Sequence, residues 1–311
     1  MTDPVRVSGS CTPIADEIRR LAAERDAVIL AHTYQRAEVQ DVADFVGDSL
    51  GLSRQAAKTD ASVIVFAGVH FMAETAKILS PSKKVLLPEP KAGCPMADMI
   101  TADALKAWKA EHPGVPVVTY VNSSAEVKAE SDTCVTSANA VAVVRSLDAS
   151  RILFAPDRNL GSWIARSLPE VEVLLWDGWC PTHEQVTPEQ VVAAREAHPD
   201  AKVMAHPECR PEVVDLADAV LSTSQMLRFA AEDEADSYIV VTEAGILHGL
   251  AKTAPGKHFF ELPSRMLCPN MKVTTIEKVR DCLADLSGEV DVDPQVRERA
   301  LVAVERMVAV G

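Results

Sequence analysis

The chain has 311 residues, 48% of them hydrophobic and 24% charged, an ordinary soluble composition with length for about two average domains. Its formal net charge of −14 excludes the basic footprint that nucleic-acid binding needs, while leaving room for small anions seated on helix N-termini. The opening MTDPVRVSGS has no apolar signal region, no apolar run approaches a membrane span, and seven cysteines, an odd number, argue for reduced thiols, so a cytoplasmic protein is expected.

In chain order, short apolar runs alternate with helical stretches. Residues 1 to 11 read as a loose arm. The run AVILAH (27 to 32) leads into a polar segment, HTYQRAEVQDVADFVGDS (32 to 49). ASVIVFAG follows, then a loop-to-helix turn, GVHFMAETAKIL (68 to 79), and KVLLP ahead of Cys94-Pro95. Thr101 reads as the N-cap of ADALKAWKAEH, which Pro113-Gly114 stops. VPVVTYV, RILFAP and VEVLLW carry the second set of runs, with the turn PDRNLG (156 to 161) and the helix GSWIARSL between the last two, ending at Cys180-Pro181. AKVMAH, SYIVVTE and HFFEL form a third set ahead of Cys268-Pro269. Short β-branched runs between helices predict an α/β architecture of parallel strands covered on both faces. In such sheets ligands bind beyond the carboxyl ends of the strands.

The alternation is one unit written three times. HTYQRAEVQDVADFVGDS aligns without gaps over YVNSSAEVKAESDTCVTS (120 to 137) and HPECRPEVVDLADAVLST (206 to 223). Glu38, Glu126 and Glu212 coincide, as do Val39, Val127 and Val213, and Asp44, Asp132 and Asp218. The segments start 88 and then 86 residues apart, and their Cys-Pro cysteines follow 62, 60 and 62 residues later. Seven residues beyond those cysteines stand Thr101, Thr187 and Thr275, each two residues before an acid, the pattern of a helix N-cap with negative charge in the first turn. The units span 12–97, 98–184 and 185–272, and 273–311 reads as C-terminal helices packing back on the first unit. Three equivalent sets of strand ends, in pseudo-threefold packing, predict one shared site at their centre.

Candidate chemistry gathers at those ends. Cys94, Cys180 and Cys268 each precede proline, whereas Cys11, Cys134, Cys209 and Cys282 do not. One Cys-Pro alone reads as a thiol before a turn. Cys180-x-x-His183 alone also fits half a zinc site or a redox motif, but no second C-x-x-C or H-x3-H completes it. Three such pairs at matched positions read as ligands of one centre. Iron–sulfur clusters are held by cysteine, Cys-Pro recurs in their ligand runs, and three thiolates leave one iron open to a substrate oxygen. His183 is a candidate fourth ligand, but without a counterpart in the other units it reads better as a neighbour of the metal or a substrate contact. At the strand ends the units keep position and vary chemistry: His32-x-Tyr34, Tyr120-x-Asn122, His206-x-Glu208. Singly these are ordinary core or turn residues; together they form an asymmetric rim on a symmetric frame. Ser49, Ser137 and Thr223, each 17 residues into its segment, read as helix caps or as anion seats at helix starts. The Glu38 and Asp44 series reads as helix surface.

The stretches AHTYQ, VGDSLGLS, GVHFMAETAKIL, LLPEPKAGC, TYVNSSAEVKAESD, VTSANA, DRNLG, AHPEC, STSQM and LCPNMK resemble the A-type, iron–sulfur quinolinate synthase family, over nearly the whole chain from Pro13 to Asp285. The resemblance implies three Rossmann-like αβα domains in pseudo-threefold arrangement around a 4Fe–4S cluster on Cys94, Cys180 and Cys268. It implies condensation of iminoaspartate with dihydroxyacetone phosphate to quinolinate, with loss of phosphate and water, in NAD biosynthesis. It also implies coupling to an L-aspartate oxidase or dehydrogenase that supplies iminoaspartate. Substrate contacts are implied for His32, Ser49, Tyr120, Asn122, Ser137, His206, Glu208 and Thr223, with Tyr34 close by. Proton transfer suits Glu208 with His206, and Tyr34 or His32 at the other substrate. Two departures stand out: Thr33 where a tyrosine is frequent between His32 and Tyr34, and Arg158 where the family often has glutamine. Two other readings compete: an iron–sulfur hydro-lyase acting on another carboxylate, and an iron–sulfur or zinc sensor, which would have no use for a divergent polar rim.

Overall fold

The computed structural model describes residues 12–310, so the expected N-terminal arm and Cys11 lie outside the described residues. Three separate four-stranded sheets, all parallel, carry the fold. β1 (Ala27–His32), β2 (Phe45–Gly47), β3 (Val63–Ala67) and β4 (Lys84–Leu86) form the first, in the order β2-β1-β3-β4. β5 (Val117–Tyr120), β6 (Thr133–Val135), β7 (Arg151–Ala155) and β8 (Glu172–Leu175) repeat that order as β6-β5-β7-β8. β9 (Lys202–Ala205), β10 (Ala219–Val220), β11 (Ser237–Val241) and β12 (His258–Phe260) repeat it again as β10-β9-β11-β12. The register is shared too: Ala31 lies opposite Ala67, Thr119 opposite Ala155 and Ala205 opposite Val241. Helices flank each sheet, giving three Rossmann-like αβα units.

The apolar runs form central strands because both faces need cover. In β3 every residue from Val63 to Ala67 is buried, and full burial of each Val, Ile or Phe side chain contributes about 1.5–3 kcal/mol. The edge strands β2, β6 and β10 had no counterpart in the sequence reading. They are two or three residues long and lie inside the polar repeat segments, too short to show a periodicity.

Those edges explain the Asp44, Asp132 and Asp218 series, which the helix-surface reading misplaces. Each aspartate lies in the turn before its edge strand and accepts a 2.8 Å hydrogen bond from the backbone N–H of Ile29, Val117 or Val203. Its own N–H donates to the carbonyl of that same residue at 2.9–3.0 Å. The side chain therefore pins the start of the edge strand to the central strand, three times over. Glu38, Glu126 and Glu212 do sit exposed in first helical turns. Asp132→Ala is expected to lower the unfolding free energy by about 1–2 kcal/mol, read from a urea titration. An unchanged midpoint would mean that the backbone pairs hold the edge unaided.

Thr101, Thr187 and Thr275 are the N-caps of Ala102–Glu111, Pro188–Ala197 and Ile276–Asp285. Ser49 and Thr223 are not caps. They are the first residues of Ser49–Lys58 and Thr223–Glu232, whose caps are Asp48, accepting from Gly51 N–H, and Ser222, accepting from Gln225 N–H. Ser137 precedes Ala140–Ser146, whose N-cap is Asn139. A side chain one position earlier has the extended backbone from which it can reach the N3 amide.

Of the C-terminal helices, Ile276–Asp285 packs on Pro13–Glu24 of the first unit. Pro294–Ala309 packs on His70–Leu79 of the first unit and on Ala125–Ala129 and β6 of the second. Its buried face (Ala300, Ala303, Val304 and Met307) joins an apolar cluster that both units share, so it bridges them. Asn139 Nδ2 donates to the carbonyls of Met307 and Val310, both at 2.9 Å, across that seam. No helix among the described residues is long and apolar enough to cross a membrane.

Candidate active site

The carboxyl ends of the three sheets open on one cavity. Its wall takes His32, Tyr34 and Ser49 from the first unit, Tyr120, Asn122 and Ser137 from the second, and His206, Glu208 and Thr223 from the third. Cys94, Cys180 and Cys268 complete it, so every candidate site residue read from the sequence reaches the same space. The GVHFMAETAKIL turn adds Val69, Phe71 and Met72. The PDRNLG turn stands behind the wall. There Asp157 caps the next helix, and Asn159 Nδ2 donates to the Glu208 carbonyl at 3.0 Å and to Glu184 Oε2 at 2.8 Å. Arg158, one of the two departures, pairs with Asp177 and Glu184 and stacks over Trp179, away from the cavity wall.

His32 ends β1 and His206 follows β9, and each imidazole is held by its own chain. Tyr34 N–H donates to His32 Nδ1 at 3.1 Å, and Glu208 N–H to His206 Nδ1 at 3.3 Å. An accepting Nδ1 leaves the single proton of a neutral ring on Nε2. Burial pushes His32 down to about 4 and His206 to about 3, outweighing the opposing pull of Glu208. Both rings are therefore neutral near pH 7. His206 Nε2 lies 3.2 Å from Ser137 Oγ, across the boundary between the third unit and the second.

Glu208 occupies the middle. Its Oε1 accepts from the Tyr120 hydroxyl at 2.6 Å, and its Oε2 lies 2.7 Å from His183 Nδ1. Burial alone would push this carboxyl up, but His183, His206 and the Tyr120 hydroxyl outweigh it and hold it below its ordinary value. His183 Nε2 lies 2.8 Å from Thr242 Oγ1, which is 2.5 Å from the Tyr34 hydroxyl. Burial, reinforced by the Glu208 charge, pushes the Tyr34 and Tyr120 hydroxyls well up, so both keep their protons near neutral pH.

The three Cys-Pro cysteines fit a shared cluster in their donor chemistry. All three are free thiols on the cavity wall. Cys180 and Cys268 are the N-caps of Pro181–Glu184 and Pro269–Lys272, in nearly the same backbone conformation. Backbone N–H groups face each sulfur: those of Met96 and Ala97 at Cys94, of His183 at Cys180, and of Asn270 and Met271 at Cys268. Such amides favour a thiolate over a thiol. Burial outweighs them and raises all three, Cys94 to about 12. Cys134, Cys209 and Cys282 are buried in the apolar clusters and do not line the cavity.

Among the described residues, Cys180, His183 and Glu208 alone bring ligand atoms within 4.8 Å of one another, as one ion would require. Their atoms already bond to each other and to Tyr120, so an ion there would have to break those contacts. Cysteines of a cluster sit on separate irons, and need no such crowding.

Glu243 escaped the sequence reading. It is fully buried on the cavity wall and accepts from Cys268 N–H at 3.1 Å and Gly245 N–H at 2.7 Å, with Lys272 Nζ at 2.9 Å. Lys272 also donates to the Tyr34 carbonyl, tying the first unit to the third. Only glycine fits at 245, where a Cβ would stand 2.7 Å from the Tyr34 carbonyl. The repeat register held a signal: Val69, Asp157 and Glu243 each lie two residues past β3, β7 and β11.

The family model described as Quinolinate synthetase A protein matches residues 16–309. A quinolinate synthase of Thermodesulfovibrio yellowstonii is 52% identical over 292 residues, 94% of this chain and 96% of its own length. That of Alkaliphilus metalliredigens is 53% identical over 299 residues, covering 96% and 99% of the two chains. That of a Geobacter species is 54% identical over 297 residues, covering 96% and 97%. The likeness thus runs through all three sheets and every wall of the cavity, and the chain belongs to the quinolinate synthetase A family.

Proposed function

We propose that the protein is an iron–sulfur quinolinate synthase, condensing iminoaspartate with dihydroxyacetone phosphate to quinolinate with loss of phosphate and water, in de novo NAD biosynthesis in the cytoplasm. The observation that carries this reading is the meeting of three Cys-Pro thiols with the His32, Tyr120 and His206 strand ends at one cavity. The repeat units 12–97, 98–184 and 185–272 each contribute one thiol and one set of strand ends, so no single unit contains the site. Iminoaspartate, an imine, hydrolyses in water, which suits supply by an L-aspartate oxidase or dehydrogenase.

Cys94, Cys180 and Cys268 would hold a 4Fe–4S cluster, which when bound supplies an open iron position able to polarise a substrate oxygen. The remaining work falls to the chain. Two ten-residue helices begin on the cavity at Ser49 and Thr223, and the first-turn N–H groups other than those capped by Asp48 and Ser222 suit phosphate and carboxylates, with Ser137 on the same wall. Asn122 Oδ1 is buried without a partner, an acceptor waiting for a substrate N–H or O–H. His32 and His206, held neutral, orient substrate without adding charge. Glu208, held ionised, takes up a proton, and Tyr34, held protonated, gives one.

The test is protein purified without air, counted for iron and sulfide, then mixed with dihydroxyacetone phosphate and iminoaspartate generated in place. Brown protein with about four irons per chain, forming quinolinate and phosphate in equal amounts, is expected. Colourless protein carrying one metal ion would point to Cys180, His183 and Glu208 as the site. Brown protein inert to this pair but dehydrating another hydroxycarboxylate would establish the hydro-lyase reading.

A further inference from the structure

The polar segments that start at His32, Tyr120 and His206 each carry a cavity residue at their third position: Tyr34, Asn122 and Glu208. In the first and third segments an imidazole clamps that residue, because Tyr34 N–H donates to His32 Nδ1 and Glu208 N–H to His206 Nδ1. The second segment has Tyr120 in the imidazole's place, and a phenol ring has no nitrogen to accept that bond. Asn122 has to be held another way.

A second device supplies the hold. Gln40, ninth in the first segment and buried, donates through Nε2 to the carbonyls of Thr33 and Gln35, at 3.0 and 2.9 Å, on either side of Tyr34. Lys128 is ninth in the second segment, and its Nζ donates to the carbonyl of Ser123, the counterpart of Gln35 and the neighbour of Asn122. The third segment has Val214 there, which cannot donate, and its loop is held from outside by Asn159 Nδ2 on the Glu208 carbonyl at 3.0 Å. Each wall loop thus has a buried donor on a carbonyl at or beside its cavity residue. Lys128 is fully buried, which lysine almost never is unless paired. Its ammonium lies 5.5 Å from the centre of the Phe71 ring, on the first-unit helix His70–Leu79. Glu74 of that helix favours the Lys128 charge against the pull of burial, and its Oε2 accepts from Ala125 N–H at 3.2 Å. The brace is therefore set into the seam between the first and second units.

We propose that Lys128 is a positioning residue for the reaction: from behind the cavity wall it fixes the Ser123 carbonyl and so holds Asn122 Oδ1 where a substrate N–H or O–H meets it. This rests on the substrate contact proposed for Asn122. Lys128 itself does not line the cavity. Ser123 is fully buried, so without the ammonium its carbonyl has no bulk water to turn to. The turn then relaxes toward another donor, and Asn122, one residue away, moves with it. A displacement of about 1 Å at a substrate-orienting group can cost about 10²-fold in rate.

Lys128→Met keeps the apolar stem and removes the charge and the donor. It is expected to lower kcat/KM for quinolinate formation roughly 10–100-fold, with iron content at the parental level. Lys128→Gln should recover most of that loss, since Gln40 makes the same reach in the first unit. In an Asn122→Ala background the methionine change should cost almost nothing further, because the group it acts through is gone. Backbone amide exchange over residues 121–126 reads the brace without reference to any reaction, and should quicken in Lys128→Met and slow again in Lys128→Gln. A glutamine variant no better than methionine, an equal loss in both backgrounds, or unchanged exchange in Lys128→Met would each overturn the inference. Parental protein that forms no quinolinate would refute the functional reading, and the exchange result would still decide whether Lys128 holds the loop. Loss of the ammonium also leaves Glu74 without a buried counter-charge. Should Lys128→Met not fold, Glu74→Gln is introduced into every variant and into the parent, and the same comparisons decide.

Discussion

Serine in place of any one of Cys94, Cys180 or Cys268 is expected to leave the protein nearly free of iron after anaerobic preparation, with quinolinate formation abolished. Each of these thiols is one of three on the cavity wall, and each has backbone N–H groups facing its sulfur. A serine hydroxyl is a harder donor that does not ionise near neutral pH, so it replaces a thiolate on iron poorly. The controls are internal. Cys134, Cys209 and Cys282 are nearly inaccessible at 0%, 1% and 2% exposure, each inside an apolar cluster. Serine there costs stability, because it buries a hydroxyl among apolar groups, but iron content should stay at the parental level. Iron and sulfide assays with the visible absorption spectrum read the result. Loss of iron from Cys134→Ser with retention in Cys94→Ser would overturn the ligand assignment and the repeat argument behind it.

Glu208→Gln should keep the colour and iron count while lowering quinolinate formation by about 10²–10⁴-fold, the usual contribution of a general acid–base group. Glutamine keeps the size of the side chain but cannot take up a proton. It also meets a mismatch. Both Glu208 oxygens face donors, the Tyr120 hydroxyl at 2.6 Å and His183 Nδ1 at 2.7 Å, and an amide offers only one acceptor oxygen. The variant must therefore turn the His183 tautomer or give up one bond, so the rate loss should fall toward the upper end of that range. Single-turnover analysis should then show an intermediate that has not closed or lost water. Parental activity would remove Glu208 from the mechanism. Loss of iron would instead make it a metal ligand, in keeping with its closeness to Cys180 and His183.

What the sequence by itself determined lies in local pattern and in repetition. Apolar β-branched runs such as AVILAH and SYIVV can be buried on both faces only as parallel strands between helices, and they became β1 and β11. A gapless threefold alignment fixes which residues share a position, so His32, Tyr120 and His206 had to stand at equivalent strand ends, and the three Cys-Pro pairs beyond them. Family resemblance added roles, not positions. The tertiary structure alone decided whatever depends on how the units pack. Edge strands of two or three residues have no periodicity to read, and their aspartate clamps join residues 15 apart in sequence. Whether Asn159 lines the cavity or stands behind it turns on a loop's path, which composition does not encode. The bonds that shape the site span greater distances: Tyr120 to Glu208 across 88 residues, and Tyr34 to Thr242 across 208. Such pairs leave no local signature, because each residue satisfies ordinary strand-end chemistry in its own unit and acquires its partner only when the three sheets close on a common centre.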